Sequence, residues 1–394
     1  MKQLKDNVYY TGVLDAELEY FDVIFETEAG TSYNSYLVRG EKNAVIDSVK
    51  AGFSEEFLTK IENITPLESI DYIVMNHTEP DHSGSLKAFL EKAPNAKVVT
   101  SRFAANLLKE ILNEDIECMI VGDGDVLDLG GKTLSFVSAP FLHWPDTQFT
   151  YLKEDKILFP CDLFGCHYGN KDYLDFKSGK DTLRHFQQVY LDGIMNPFKN
   201  YAIDGIEKIK DLDIEMIAPS HGPILTEDID DTITWYKKWA EQSLKKNEPK
   251  VVYVHYVSCY GYTAMLAEKI GEGIESTGLK ANVVDIGTLP IDHVVKAAEK
   301  ADGLALGSPT INRDVLEPIW EVTLGLSPYT SRGKNAAVFG SFGWSGEACK
   351  YLEERLTNLG FQVVGSTKTK MFPNEEALRA AYDLGVNLGN AVKA

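Results

Sequence analysis

The chain has 394 residues, of which 44% are hydrophobic, 25% charged and 11% aromatic, enough for two or three packed cores and too apolar for a disordered chain. Its 39 basic and 59 acidic residues leave a net charge of −20, which repels phosphate backbones and anionic lipid and excludes nucleic acid and membrane surfaces as natural partners. Five scattered cysteines, at 118, 161, 166, 259 and 349, with no CxxC pair, argue against a disulfide scaffold, a zinc ribbon or a rubredoxin centre, and fit a reducing cytoplasm.

The opening MKQLKDNVYYTG has no apolar core of a signal peptide. The longest stretch without formal charge, 251–267, is too short and polar for a membrane helix. Up to residue 248 the pattern predicts strands at 36–38, 44–46, 72–75, 97–99, 133–137, 150–152, 157–159 and 216–218. It predicts helices at 53–63, 84–92, 101–112, 181–190, 198–210 and 227–246. In 101–112, Phe103, Leu107, Leu108 and Ile111 are expected on one buried face. The mixture points to two sheets with helices packed outside, an α+β arrangement.

The polar run Lys245–Lys250, containing Pro249, marks the expected boundary, with domains 1–248 and 249–394. Beyond it strands (251–257, 281–286, 303–307, 335–340, 361–365) alternate with helices (264–277, 291–300, 315–325, 346–359, 374–391). Five of each make an α/β doubly wound sheet.

Chemistry concentrates after predicted strand ends. His77-Thr-Glu79-Pro-Asp81-His82 puts four metal-capable side chains in six residues. His143 in APFLHWPD, Asp162 in FPCDLFG and His221 in APSHG each follow an apolar strand and lie beside Pro or Gly. Together these segments, and Gly30–Tyr36, resemble the metallo-β-lactamase-like αββα domain of the flavodiiron (A-type flavoprotein) family. In that family Glu79 stands where the usual HxHxDH loop has its second histidine.

The resemblance implies a di-iron centre. His77, Glu79 and His143 would bind one iron, Asp81, His82 and His221 the other, and Asp162 would bridge; His82 is the ligand that some members replace by water. Two Fe(II) ions carry four positive charges against three carboxylates, and a bridging hydroxide would neutralise the remainder. Carboxylate-rich ligation suits iron better than a histidine-rich zinc site does.

The second domain presents three loops after strand ends. Ser258-Cys259-Tyr260-Gly261-Tyr262-Thr263 leads into a helix N-terminus and is built to hold a phosphate. Ser308-Pro309-Thr310-Ile311-Asn312 and Ser341-Phe342-Gly343-Trp344-Ser345-Gly346 should join it at the switch point, where Trp344 can stack on a ring. No GxGxxG is present, and Gly122-Asp-Gly124 reads as a turn. In order, the three loops resemble a flavodoxin FMN site, so the resemblance covers nearly the whole chain.

The family likeness implies a terminal oxidoreductase in which reduced FMN feeds the di-iron centre, reducing O₂ to water or NO to N₂O. It implies a separate rubredoxin as donor, since no cysteine pair follows here, or alternatively reduced F420. A first domain of this size has a radius of gyration near 18 Å, so the two cofactor sites of one chain are expected to lie tens of ångströms apart, too far for fast transfer. The family's head-to-tail homodimer, or a homotetramer of such dimers, removes that distance. A dinuclear zinc hydrolase with an appended flavodoxin, or a pure electron carrier, are the competing readings. Metal content and O₂ consumption separate them.

Overall fold

A computed structural model describes residues 2–170, 172, 174, 179–244 and 247–394. The chain divides into two compact units, Met1–Leu244 and Lys245–Ala394. The end of the helix predicted over 227–246 and the start of the polar boundary run fall partly outside the described residues; the helix runs Ile229–Ser243.

Among the described residues the first unit holds two large sheets and two two-stranded ribbons, Val13–Asp15 with Thr31–Tyr33 and Tyr20–Phe21 with Phe25–Glu26. One large sheet has seven strands in the order Lys2–Lys5, Val8–Tyr10, Tyr36–Arg39, Asn43–Ile46, Ile70–Met75, Lys97–Thr100 and Cys118–Ile120. It is antiparallel up to the fourth strand and parallel from there on. The other has five strands, Val126–Asp128, Thr133–Ser138, Gln148–Leu152, Ile157–Phe159 and Met216–Ile217, of which only the last pair is parallel. One hydrophobic cluster takes Val45, Ile73 and Val99 from the first sheet and Phe136, Phe149 and Leu158 from the second, so the sheets share a core. The parallel strands carry near-continuous apolar runs because both faces are covered.

Helices close the outer faces. Ser54–Glu62 buries Phe57 and Ile61, and Lys199–Ile209 buries Ala202, Ile206 and Ile209. Gly205 lets the second of these lie close: a Cβ there would come within 2.8 Å of Leu142 Cδ1, one residue before His143. Helix Arg102–Leu112 corrects the predicted face. Ala104 and Leu108 are buried, but Phe103 is 49% and Ile111 37% exposed. The helix packs on the short edge strand Cys118–Ile120, beyond which the sheet offers nothing to cover those side chains. The polar, very short strands of residues 2–33 and the edge strands 118–120 and 126–128 lacked the apolar alternation that marks the others.

In the second unit a five-stranded parallel sheet runs in the order Lys280–Asp285, Val251–Tyr256, Gly303–Gly307, Asn335–Phe342, Gln362–Lys370, which is 2-1-3-4-5. Tyr262–Ser276 and Glu375–Lys393 cover the face of Val252, Val254, Ala305 and Phe339. Ile291–Lys300, Glu317–Gly325 and Ala348–Asn358 cover the face of Leu304, Leu306 and Val338. This is the flavodoxin-like doubly wound order, and its ligand crevice lies between the first and third strands. Among the described residues no helix is long and apolar enough to cross a membrane.

Candidate functional site

The metal-capable loops converge where the two sheets of the first unit meet. Ile70–Met75 ends in Asn76, a junction between the sheets. Its backbone N–H donates to Asp47 Oδ1 (2.7 Å), its carbonyl accepts from Gln148 N–H (2.9 Å), and its side-chain oxygen accepts from Thr150 Oγ1 (2.6 Å). His77 and Glu79 follow, and the short helix Pro80–Ser83, with Pro at its first position, turns Asp81 and His82 inward. His143 sits in a loop closed by Phe141 N–H to Trp144 O (2.7 Å). Asp162 follows Ile157–Phe159, and its loop is tied to that of His221 by Ser220 N–H to Cys161 O (2.8 Å).

All seven predicted residues come together. Glu79 Oε2 lies 3.2 Å from His77 Nε2 and 3.1 Å from His143 Nε2. Asp81 Oδ2 is 3.1 Å from His221 Nε2, and Asp81 Oδ1 is 3.4 Å from His82 Nε2. Asp162 spans both groups. Its Oδ2 is 3.8 Å from His77 Nε2 and 3.6 Å from His143 Nε2; its Oδ1 is 3.3 Å from His82 Nε2 and 3.4 Å from His221 Nε2. Two of the ligand trios that the geometry defines are His77–Glu79–His143 and Asp81–His82–His221.

The electrostatics call for cations. Burial alone would raise the Asp162 carboxyl, yet His82 and His221 hold it well below the carboxylate range. Burial alone would lower His77, but the carboxylates around it, Asp146 first, lift it well above an ordinary imidazole. Burial likewise opposes the charge on His221, which Asp162 and Asp81 nevertheless raise to about 10. Both oxygens of Asp81, both of Asp162 and His82 Nε2 are shielded from solvent and make no hydrogen bond among the described residues. Buried carboxylate oxygens left this way are costly unless metal ions coordinate them, so the donor set fits a pair of ions. Imidazole and carboxylate together, without thiolate, suit iron.

Several residues of this site went unassigned by motif. Asp146, in the same HWPD segment as His143, lies behind His77. His221 Nδ1 donates to Ser32 O (2.7 Å), which leaves Nε2 as the lone-pair nitrogen. The small hairpin Tyr20–Phe21/Phe25–Glu26 brings Asp22 beside the cluster, where burial first, then Glu79 and Asp81, push it up to about 6. His167 stands beside His221. A carboxylate three residues after His143 was the one readable signal; the rest are fixed by tertiary contact.

The three loops of the second unit also meet. Gly261, at φ +80°, turns the chain into Tyr262–Ser276, and Ser258 Oγ accepts from Ala264 N–H (3.3 Å). Thr263 Oγ1 lies 2.9 Å from Ser341 Oγ, and Thr310 N–H donates to Ser341 O (2.8 Å), joining all three segments. Ser308 is buried with its hydroxyl committed to Pro309 O and Leu316 N–H, so it shapes its own loop. Phe342, Gly343, Ser345 and Gly346 are half-buried, while Trp344 and Tyr260 are exposed, at 83% and 82%. Cys259, Ile311 and Asn312 lie on the exposed rim, and Pro309 is buried beneath it. No acidic residue occurs in 258–263, so a helix N-terminus, hydroxyls and exposed rings fit an aromatic phosphate ester. Gly122–Gly124 forms a turn, as expected.

A metallo-β-lactamase-like unit with a carboxylate-bridged pair of ligand sets, carried with a flavodoxin-like unit, defines a class of two-domain redox flavoprotein. Residues 31–222 match the ODP family β-lactamase model and 254–385 the flavodoxin model. The chain is 40% identical over 396 residues to flavo-diiron protein FprA2 of Clostridium acetobutylicum, with 99% of each covered. It is 34% identical over 392 residues to a nitric oxide reductase of Moorella thermoacetica, covering 97% of this chain and 96% of that one. It superposes on rubredoxin oxygen:oxidoreductase from Desulfovibrio gigas with a TM-score of 0.70 and 27% identity, covering 100% of this chain and 98% of that one. The chain belongs to the flavodiiron protein family.

Proposed function

We propose that this protein is a flavodiiron oxidoreductase that reduces O₂ to water, NO to N₂O, or both, with electrons relayed through FMN. The observation that carries this reading is the double reach of Asp162, one oxygen toward His77 and His143 and the other toward His82 and His221. In this reading His77, Glu79 and His143 hold one iron, Asp81, His82 and His221 hold the other, and Asp162 bridges. Bound there, the irons would supply redox equivalents and adjacent open positions for one diatomic molecule or two. The residues keep the charge nearly balanced and shield the pocket from bulk water. Ser258–Thr263, Ser308–Asn312 and Ser341–Gly346 hold the FMN phosphate and ring, and the unit that carries them is taken as 249–394.

Balance requires four electrons and four protons per O₂, or two of each per pair of NO molecules. A relative named as a nitric oxide reductase and a structure named as a rubredoxin oxygen:oxidoreductase support either substrate for this chain. Electrons are taken to arrive from a separate rubredoxin or from reduced F420; the similar structure named as a rubredoxin oxygen:oxidoreductase supports the first of these. Five unpaired cysteines favour the cytoplasm.

Anaerobic single-turnover mixing of one reduced, iron-loaded sample with O₂ and with NO, in parallel, tests the reading. Consumption of at least one gas, with two irons and one FMN per chain, supports it. Full zinc occupancy without gas consumption in an iron-replete preparation sinks it and favours a hydrolase. A head-to-tail homodimer, alone or paired into a tetramer, is the assembly we infer. Mixed dimers of His77→Ala and an FMN-defective variant should regain part of the activity, and a fully active dilute monomer would refute the arrangement.

A further inference from the structure

We propose that His167 offers a hydrogen bond from its ring Nε2 to the oxygen-bearing molecule held at the metal position of Asp81, His82 and His221; this rests on the di-iron reading above. His167 is the imidazole at this site that the ligand sets do not use. Among the described residues it belongs to no trio of metal-capable groups, yet its ring centroid lies 5.5 Å from that of His221. It therefore stands beside the ligands of that position without being one of them.

The ring is held in one orientation. Nδ1 is 2.9 Å from Thr31 Oγ1. Phe21 stacks on it at 4.3 Å, and Tyr190 meets it edge-on at 5.0 Å. Both of those rings also flank His221, at 5.7 and 6.3 Å. Gly169 fixes the backbone, donating to Ala29 O at 2.7 Å; a Cβ on it would come within 2.6 Å of Thr31 O.

Nε2, in contrast, is shielded from solvent and has no hydrogen-bond partner among the described residues. A buried polar atom in that condition calls for a function or a ligand. Thr31 Oγ1 is 2.9 Å from Nδ1 and makes only a long, 3.5 Å contact with Ser32 O; in the proposed arrangement the hydroxyl donates to Nδ1 and the ring hydrogen lies on Nε2. A ring hydrogen on Nε2 makes the imidazole a directed donor, which suits the oxygen of O₂, NO or a hydroxide.

Azide binding to the iron-loaded full-length protein tests this, followed by its charge-transfer absorption and paired with the N–O stretch of the nitrosyl adduct. His167→Leu should keep two irons and one FMN per chain, weaken azide about tenfold, as loss of one hydrogen bond allows, and shift the N–O stretch. His167→Gln, which keeps a donor, should restore most of both. Thr31→Val, which removes the anchor at Nδ1, should move both readouts in the same direction by less, and it serves if His167→Leu fails to fold. Unchanged azide affinity and N–O stretch in iron-replete His167→Leu or, failing that, Thr31→Val overturn the assignment while leaving the di-iron reading intact. A wild-type protein that holds no iron sinks both.

Discussion

Asp146 clamps His77. Its carboxylate oxygens lie 3.2 and 3.1 Å from His77 Nδ1, and the nearer one also accepts from Thr78 N–H and Thr78 Oγ1, each at 2.8 Å. The proton is thereby fixed on Nδ1, and Nε2 turns toward Glu79 and Asp162 with its lone pair free. Asp146 O further accepts from Ser101 Oγ, the N-cap of Arg102–Leu112, so the clamp is anchored on a helix start. Asp146→Ala should lower iron affinity about 10- to 100-fold with FMN content unchanged. Competition with a chelator measures it; an unaltered iron affinity would show that the ring is positioned by packing alone.

Asp162→Asn keeps the shape of the bridging side chain but removes its charge. Iron content should fall below two per chain and gas reduction should be lost, while FMN stays bound at full stoichiometry. Metal analysis beside flavin absorbance checks both at once. Two irons retained with normal turnover would contradict a bridging role.

The second unit completes its own sheet and two cores, so a fragment of residues 250–394 should fold and bind FMN. Ser258→Asp sets a carboxylate at the helix N-terminus where the phosphate is expected and should weaken FMN at least tenfold. Flavin fluorescence quenching reads the affinity. An unfolded fragment, or one preferring NAD, would refute the boundary and the cofactor site together.

Acid sensitivity of that unit should trace to His255. It is buried in Val251–Tyr256, its Nδ1 has no hydrogen-bond partner among the described residues, and burial pushes it down to about 4. Because the folded value lies below the unfolded 6.5, the folded unit binds fewer protons between the two. The stability contribution is complete above about pH 6.5 and is lost as pH falls toward 4, roughly 3 kcal/mol by the lower limit. Urea unfolding of the 250–394 fragment at pH 7 and 4.5 should show this loss, and His255→Leu should flatten it. An equally steep acid limb in that variant would assign the effect to other groups.

Much of this protein was readable before any contact was known. The alternation of β-branched runs with helices after Pro249 determined a doubly wound unit, because each strand buried on both faces must be apolar throughout and each crossover needs a helix. The spacing His77-x-Glu79-x-Asp81-His82 announced a metal loop, because two imidazoles and two carboxylates so close together repel or bind. Tertiary structure decided the rest. Asp162 lies 80 residues from His82, and only the pairing of Ile157–Phe159 with Met216–Ile217 brings it and His221 to one point. His167 carries no periodic or motif signal, since it acts with a neighbour from another segment, Thr31, and Asp146 is marked in the sequence only by its place three residues after His143. The misjudged face of Arg102–Leu112 has the same origin: periodicity states which side of a helix is apolar, but the width of the sheet beneath determines how much of that side is covered.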